Sequence, residues 1–320
     1  MLYLLVLISA GLLVLWVVIA RPTITIRGAA IHDVKPNPAT LRQYVERISR
    51  GFAPRDVDHP ENLNRLAEYL ADEFKTLGAR VSYQEFAFEQ ISYRNVIAEY
   101  GPESAEMLVI GAHYDTAGDQ PGADDNASGV AGLLELARLL RQASLTTKVL
   151  LAAYTLEEPP LFGTHSMGSA VHARSLLANR ASIRLMISLE MIGYFSDRKG
   201  SQGFPISLLK LFYPSTGNFI LIVDQMVSDQ ARRLKRRMNA ATDLPVYSIN
   251  APAWIPGVDF SDHVNFWKLG YPAVMVTDTS YYRNDAYHSY RDTAERLDYV
   301  KMAQVIAGVY AYAAQPDRKS

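Results

Sequence analysis

Five short polar clusters carry the residue types that metal-assisted hydrolysis needs. They read His113-Tyr114-Asp115, Gly122-Ala123-Asp124-Asp125-Asn126-Ala127-Ser128-Gly129, Glu157-Glu158, Glu190 and His288. The chain has no cysteine, which excludes disulfides, thiolate nucleophiles and every cysteine-held zinc or iron–sulfur site. Any metal must therefore be held by His, Asp and Glu, and seven His are few enough to weigh one by one. Two His among several carboxylates suit a borderline dication, zinc above all, with Mn2+ or Co2+ as substitutes. A pair of such ions about 3.5–4 Å apart needs a bridging carboxylate plus one His and one acid on each side. The clusters supply that set.

Each cluster has a blander reading when taken alone. Asp124-Asp125-Asn126 suits a helix cap or turn. Glu157-Glu158 suits a solvated pair, and Glu190 a strand-end acid facing water. His288 alone has no more claim than the other His. His165 and His172, in or near an apolar helix, read as structural or exposed, His263 as structural or supporting, and His32 and His59 carry no pattern. What changes the weighing is position, because every cluster falls where an apolar strand run ends. In open α/β sheets, ligand sites gather at the carboxyl ends of strands.

The elements that must position these residues follow from the apolar pattern. Buried strands are expected at Met107–Ile110, Lys148–Tyr154, Leu185–Leu189, Phe219–Val223 and Ala273–Val276, and paired strands at Val81–Phe88 and Tyr93–Tyr100. Helices are expected at Leu41–Ile48, Asn62–Leu77, Ala127–Leu140, Met167–Leu177, Gln225–Met238 and Ala294–Ala313, with Gly78 a stop for the second. The alternation predicts an α/β fold of three layers, a mostly parallel central sheet covered by helices on both faces. Ser196–Asn218, rich in Gly and Pro, breaks the rhythm as a long loop or lid. In a regular strand, neighbouring side chains face opposite ways, so Glu157 and Glu158 can share one site only past a strand end. Pro159 and Pro160 stiffen that turn.

Bulk composition agrees with a folded enzyme. Of 320 residues, 49% are apolar and 20% charged, and the formal net charge of −1 gives no electrostatic case for nucleic acid. Met1–Ala20 carries no charged side chain, and about 20 such residues match a hydrocarbon core of about 30 Å. The expectation is a single-pass transmembrane anchor at 1–20, or else a cleaved signal peptide. A linker at 21–38, the enzyme domain at 39–316 and a tail at 317–320 follow. The domain is expected on the extracytoplasmic side, although Arg21 and Arg27 argue weakly for the cytoplasm. No motif speaks to oligomeric state.

His113-Tyr114-Asp115-Thr116, the Gly122–Gly129 segment, Glu157-Glu158, Ser261-Asp262-His263, Tyr287-His288-Ser289 and Asp292-Thr293 match a known pattern in order and spacing. From about His59 to the C-terminus the chain resembles the co-catalytic di-zinc exopeptidases. That family holds bacterial secreted aminopeptidases, glutamate carboxypeptidase and, as a divergent branch, glutaminyl cyclase. The resemblance implies the zinc-exopeptidase fold and two zinc ions, one on His113, Asp125 and Glu190, the other on Asp125, Glu158 and His288. It implies that Asp115 orients His113, that Glu157 is the general base acting on a metal-bound water, and that Tyr287 stabilises the oxyanion. It implies peptide substrates, with aminopeptidase the leading activity, and a cis peptide after Asp125. Trp254, Phe260, Phe266, Trp267, Tyr281 and Tyr282 are candidates to line a side-chain pocket. Two positions depart from the commoner pattern: Glu190 stands where many relatives have Asp, and Pro159-Pro160 replaces a Gly-containing turn. Rival readings are N-terminal glutamine cyclisation, whose enzymes usually use one zinc and lack the Glu pair, and a binding module without activity, which would be expected to lose ligands or base.

Overall fold

A computed structural model describes residues 1–19, 35–103 and 106–314. Helix α1 (Leu2–Ile19) is followed by α2 (Pro38–Gly51) and α3 (Pro60–Thr76). Asn37 caps α2 by accepting the Ala39 N–H at 2.9 Å, and a proline opens both α2 and α3, where its missing N–H costs nothing. Leu63, Leu66, Leu70 and Phe74 form one fully buried stripe on α3, which ends at Gly78 with a left-handed φ of 87°.

Next come β1 (Arg80–Phe88), β2 (Ile91–Tyr100), β3 (Glu106–His113), α4 (Gly129–Leu140), β4 (Lys148–Tyr154), α5 (Gly168–Ala178) and β5 (Ser182–Glu190). The chain closes with β6 (Ile220–Asp224), α6 (Gln230–Ala241), β7 (Val246–Asn250), α7 (His263–Trp267), β8 (Ala273–Thr277) and α8 (Tyr299–Ala314). One eight-stranded sheet runs β1-β2-β4-β3-β5-β8-β6-β7. Its centre, β4-β3-β5-β8, is parallel, while β2 joins β4 and β6 joins β8 antiparallel. The sheet is therefore mixed at its flanks and parallel where the site lies.

Alternate residues of the central strands face different layers. Leu108, Ile110 and Ala112 of β3 pack with α2, α3, α4, α6 and α8, whereas Val109 packs with residues of α5 and α7 on the opposite face. This is the expected three-layer arrangement.

Some boundaries moved for identifiable reasons. Helix α6 begins at Gln230, not Gln225, because the Asp224 carboxylate holds the Gln225 and Ala231 N–H groups and ties the connection into a loop. Helix α8 begins at Tyr299, not Ala294, because Asp298 caps it at the Lys301 N–H. Strand β7, on the sheet edge beside β6, is an addition to the expected set.

The expected membrane anchor is overturned. Among the described residues no helix is long and apolar enough to cross a membrane. The single-pass assignment and the extracytoplasmic placement built on it fall together. Of the expected linker, residues 21–34 lie outside the described residues, as does the tail at 317–320.

Candidate metal centre

Strand ends deliver the clusters to one place. His113 is the last residue of β3 and Glu190 the last of β5, while Glu157 and Glu158 follow β4 and His288 lies in the connection after β8. Asp125 sits in a π-turn (Ala123–Ser128) ahead of α4, and its peptide bond to Asn126 is cis, as expected. Parallel pairing of β3 with β4 and β5 brings these ends level, so all the acids converge beside His113.

The two oxygens of Asp125 face two different His. Asp125 Oδ1 lies 3.3 Å from His113 Nε2, and Oδ2 lies 3.1 Å from His288 Nε2. Glu190 Oε2 approaches His113 Nε2 at 3.4 Å, and Glu158 Oε2 approaches His288 Nε2 at 3.2 Å. Two donor triads result, His113–Asp125–Glu190 and Asp125–Glu158–His288, each with its ligand atoms within 4.8 Å of one another. His113, Glu157 and Glu158 form a third such group. Glu157 Oε2 is 3.9 Å from His113 Nε2, at the edge of the pair of triads.

Zinc suits this donor set. All the donors are imidazole nitrogens or carboxylate oxygens, and Glu158 Oε1 and His288 Nε2 are buried without a hydrogen-bond partner among the described residues. A cation accounts for both orphaned atoms.

Neighbouring groups fix the orientation of the donors. His113 Nδ1 lies 3.2 Å from the Asp115 carbonyl oxygen and 3.6 Å from its carboxylate, and Asp115 Oδ2 accepts the Glu158 N–H at 3.0 Å. Asp115 thus touches one residue of each triad. Ser261 Oγ donates to Glu190 Oε2 at 2.8 Å and is in turn paired with Ser188 Oγ. Asn126 spans the base, donating to the Leu189 carbonyl and accepting the Met191 N–H.

Burial pushes the Glu157 carboxyl well above the usual carboxylate range, with His113 opposing and Glu158 and Glu190 reinforcing the shift. Burial and the Asp125 charge raise Glu158 to about 8. The His113 ring is raised well above its ordinary value: burial works against its charge, and Glu190 and Glu157 outweigh it. His288 is likewise raised against burial, to about 10, by Asp125 and Glu158. The Tyr287 hydroxyl is pushed far up, first by burial and then by the surrounding carboxylates, so it stays a donor. Its ring stacks on His288 with centroids 3.7 Å apart.

A cavity of about 200 Å³ opens from the triads. Asp125, Glu157, Glu158, Glu190, Tyr287 and His288 form one end, and Phe162, Phe204, Leu209, Tyr213, Val223, Ile249, Phe260 and Met275 form much of the rest. No Lys or Arg is among the described residues that line it. Of the expected pocket aromatics, Phe260, Tyr281 and Tyr282 line the cavity. Phe266 and Trp267 pack in the core instead, and Trp254 is exposed. The Ser196–Asn218 segment contributes Gln202 to Pro205 as a wall. It is fastened there by Gln202 Nε2 donating to Thr279 Oγ1, Arg283 Nε donating to Gln202 Oε1, and the Gly203 N–H donating to the Tyr282 carbonyl.

Residues that sequence reasoning passed over include Arg55. It is fully buried and donates to the carbonyls of Tyr114, Ile48, Pro121 and Gly122. No local signal marks it, since three of its four partners lie 59 or more residues away. In the Ser261-Asp262-His263 segment it is Ser261 that reaches the site. His263 bonds the Val258 carbonyl oxygen and packs edge-on against Trp267, and His172 pairs with the Tyr154 hydroxyl, so both are structural as expected.

The fold and this cluster define a class: an α/β protein with a carboxylate–histidine cluster that could hold metal ions beside an apolar cavity. Residues 95–313 match Peptidase family M28, and the chain belongs to that family. It is 49% identical over 282 residues to an uncharacterised protein, YfbL, of Escherichia coli (strain K12), covering 85% of this chain and 86% of that one. It is 30% identical over 240 residues to Leucine aminopeptidase 1 of Ajellomyces dermatitidis (strain ER-3 / ATCC MYA-2586), covering 71% of this chain but only 56% of the fungal one. The structure of BSAP, a zinc aminopeptidase from Bacillus subtilis, superposes with a TM-score of 0.69 at 14% identity, over 90% of this chain and 98% of that one. At that identity the likeness concerns the fold.

Proposed function

We propose that this chain is a zinc-dependent aminopeptidase that uses two zinc ions to hydrolyse the N-terminal peptide bond of substrates with a large apolar first residue. The observation that carries the reading is Asp125, whose two oxygens face His113 and His288 at 3.3 and 3.1 Å, as a bridging carboxylate must. His113, Asp125 and Glu190 would hold one ion, and Asp125, Glu158 and His288 the other. Bound there, zinc supplies Lewis acidity toward the scissile carbonyl and toward the attacking water.

The protein's own groups do the rest. Glu157, at the edge of the triads and pushed upward by burial, takes a proton from water and returns it to the leaving amine. Tyr287, held as a donor, faces charge that develops on the carbonyl oxygen. The carboxylate-rich end of the cavity suits an α-ammonium group. A substrate's C-terminal carboxylate would need a cation, and the described lining offers neither Lys nor Arg. That supports an aminopeptidase over a carboxypeptidase. The aromatic and aliphatic remainder desolvates the first side chain, at about 25 cal/mol per Å² of apolar surface.

Zinc content and hydrolysis of aminoacyl chromogenic substrates test this on one preparation, beside Glu157→Gln. The expected result is close to two zinc ions in both proteins, with kcat lower by about 10²–10⁴-fold in the variant. Leucyl and phenylalanyl substrates should outrun glycyl or glutamyl ones. Full activity in Glu157→Gln, or no zinc bound when it is supplied, would sink the reading.

A further inference from the structure

Asp292 lies outside both triads, yet its carboxylate is committed to the backbone that carries one of their members. It is 1% exposed. Oδ1 and Oδ2 accept the Asp124 N–H at 3.0 and 3.1 Å, and Oδ2 also accepts the Asp125 N–H at 3.0 Å. The Asp292 carbonyl accepts the Ala123 N–H at 3.2 Å, so three consecutive amides of the π-turn point at one residue. On its other side, the Asp292 N–H bonds the Ser289 carbonyl at 3.0 Å, which closes the short turn that begins beside His288. The residue therefore joins the turn holding Asp125 to the turn holding His288, and those two side chains meet at 3.1 Å.

A helix cap does not account for this. Helix α4 begins at Gly129, and the N–H groups that Asp292 accepts belong to Asp124 and Asp125, inside the preceding turn. Nor does a direct ion pair: the Arg55 charge acts on Asp292, but the hydrogen bonds of this buried guanidinium go to four main-chain carbonyls. Two amide hydrogens on the carboxyl group and a third on the main-chain carbonyl of the same residue fix the turn at three successive positions.

We infer that Asp292 is a positioning residue for the metal centre, setting the separation of Asp125 and His288 and so the affinity of the site formed by Asp125, Glu158 and His288, without reaching a metal itself. This rests on the two-zinc reading above. Partners that orient metal ligands are typically worth 10–100-fold in affinity. The Ser261 contact to Glu190 belongs to the other triad, so the site on Glu158 and His288 should lose more when Asp292 is altered.

The full chain, with Asp292→Ala and Asp292→Asn beside it, is stripped of metal and titrated with Zn2+ against a chromogenic chelator. A parallel titration with Co2+ follows the visible absorption bands that report ligand geometry. The expected result is two sites in the parent protein. In Asp292→Ala one site should be weaker by about 10–100-fold, with altered Co2+ bands and kcat reduced more than KM. Asp292→Asn keeps one acceptor oxygen and should fall between the two. A folded Asp292→Ala chain with both affinities and the Co2+ bands unchanged would overturn the inference and leave Asp292 a fold-stabilising residue. If the alanine variant does not fold, the same readings on Asp292→Asn decide, and parental affinities there overturn the inference equally. A parent protein that takes up no zinc defeats the two-zinc reading itself, visible in its own titration before any variant is compared.

Discussion

Asp125 occupies a position that no ordinary helix cap would tolerate. It is 4% exposed, shares its surroundings with Glu157, Glu158 and Glu190, and faces the rings of His113 and His288. Burial pushes its carboxyl up, and the two rings at 3.3 and 3.1 Å outweigh it and hold it below the usual carboxylate range. Buried His outside the site behave in the opposite way. Burial alone lowers His172 to about 4, and its ring bonds the Tyr154 hydroxyl in the neutral form. Folding therefore excludes a proton that the unfolded chain binds below about pH 6.5. The stability contributed by a neutral His172 is fully present above that pH and is lost as pH falls toward 4. Between pH 7.5 and 5 the protein should lose about 2 kcal/mol relative to His172→Phe, since a folded value near 4 and an unfolded value near 6.5 give that difference. Urea unfolding of both proteins at the two pH values measures it, and parallel losses would show that His172 protonates freely in the folded state. At this scale the donor types were legible in the sequence, because few His and no Cys leave few candidates, while their grouping into two sets was implied by the family resemblance. Arg55 was not, nor was the role of Asp292, although Asp292-Thr293 stood in the matched pattern, because Tyr114, Pro121 and Gly122 lie 59 or more residues from Arg55, and Asp124 and Asp125 lie 167 or more from Asp292.

Turns, not strands, set the angles at which the ligands meet. Leu156 before Glu157, Met191 after Glu190, and His288 itself all have left-handed φ values, of 60°, 49° and 50°, without being glycine. Such conformations cost of order 1–3 kcal/mol each and persist only where surrounding structure enforces them. Here the enforcing bonds are visible: Asn126 Oδ1 accepts the Met191 N–H, and Asp115 Oδ2 accepts the Glu158 N–H. Gly122 opens the π-turn with φ 55°, and a methyl group there would meet the Asp125 carbonyl oxygen and, at 2.9 Å, Arg55 Nη2. Gly122→Ala should thus cost about 2–4 kcal/mol, combining the left-handed penalty with overpacking, and should weaken zinc binding with it. Gly163→Ala supplies the control, with φ 76° and open space around it, and should cost only about 1–2 kcal/mol with zinc affinity unchanged. Denaturation midpoints and zinc titrations of the pair separate local fit from backbone strain. Periodicity made the central strands and long helices legible, since each has one buried stripe or two buried faces. It gave no warning of β7, a five-residue edge strand, or of the delayed start of α6, which depends on where the Asp224 carboxylate points. The uncharged run at the N-terminus also suggested an anchor, and among the described residues no helix is long and apolar enough to cross a membrane.

Taken as a whole, the molecule places its main concentration of buried acid at the carboxyl ends of its parallel strands, and stability should depend on what neutralises it. Without metal, the protonated rings of His113 and His288 do part of that work. The value of about 10 for His288 means that its contribution is fully present below about pH 6.5 and is lost as pH rises toward 10. Zinc acts with the opposite sign, because it must displace those protons and therefore binds more tightly as pH rises. Metal held by the folded chain and not by the unfolded one adds RT ln(1 + [L]/Kd), about 2.7 kcal/mol for one site at a hundredfold excess over Kd. For a domain of this size that corresponds to roughly 5–10 °C in the unfolding midpoint. The gap between midpoints in zinc and in chelator should therefore widen from pH 6 to pH 8, and thermal unfolding at the two pH values reads it directly. A gap that narrows as pH rises would mean that zinc does not compete with protons at His113 and His288, and the ligands would have to be sought elsewhere. A gap that is absent at both pH values would mean that the carboxylates are neutralised by their own protons and that no metal is needed to hold the strand ends together.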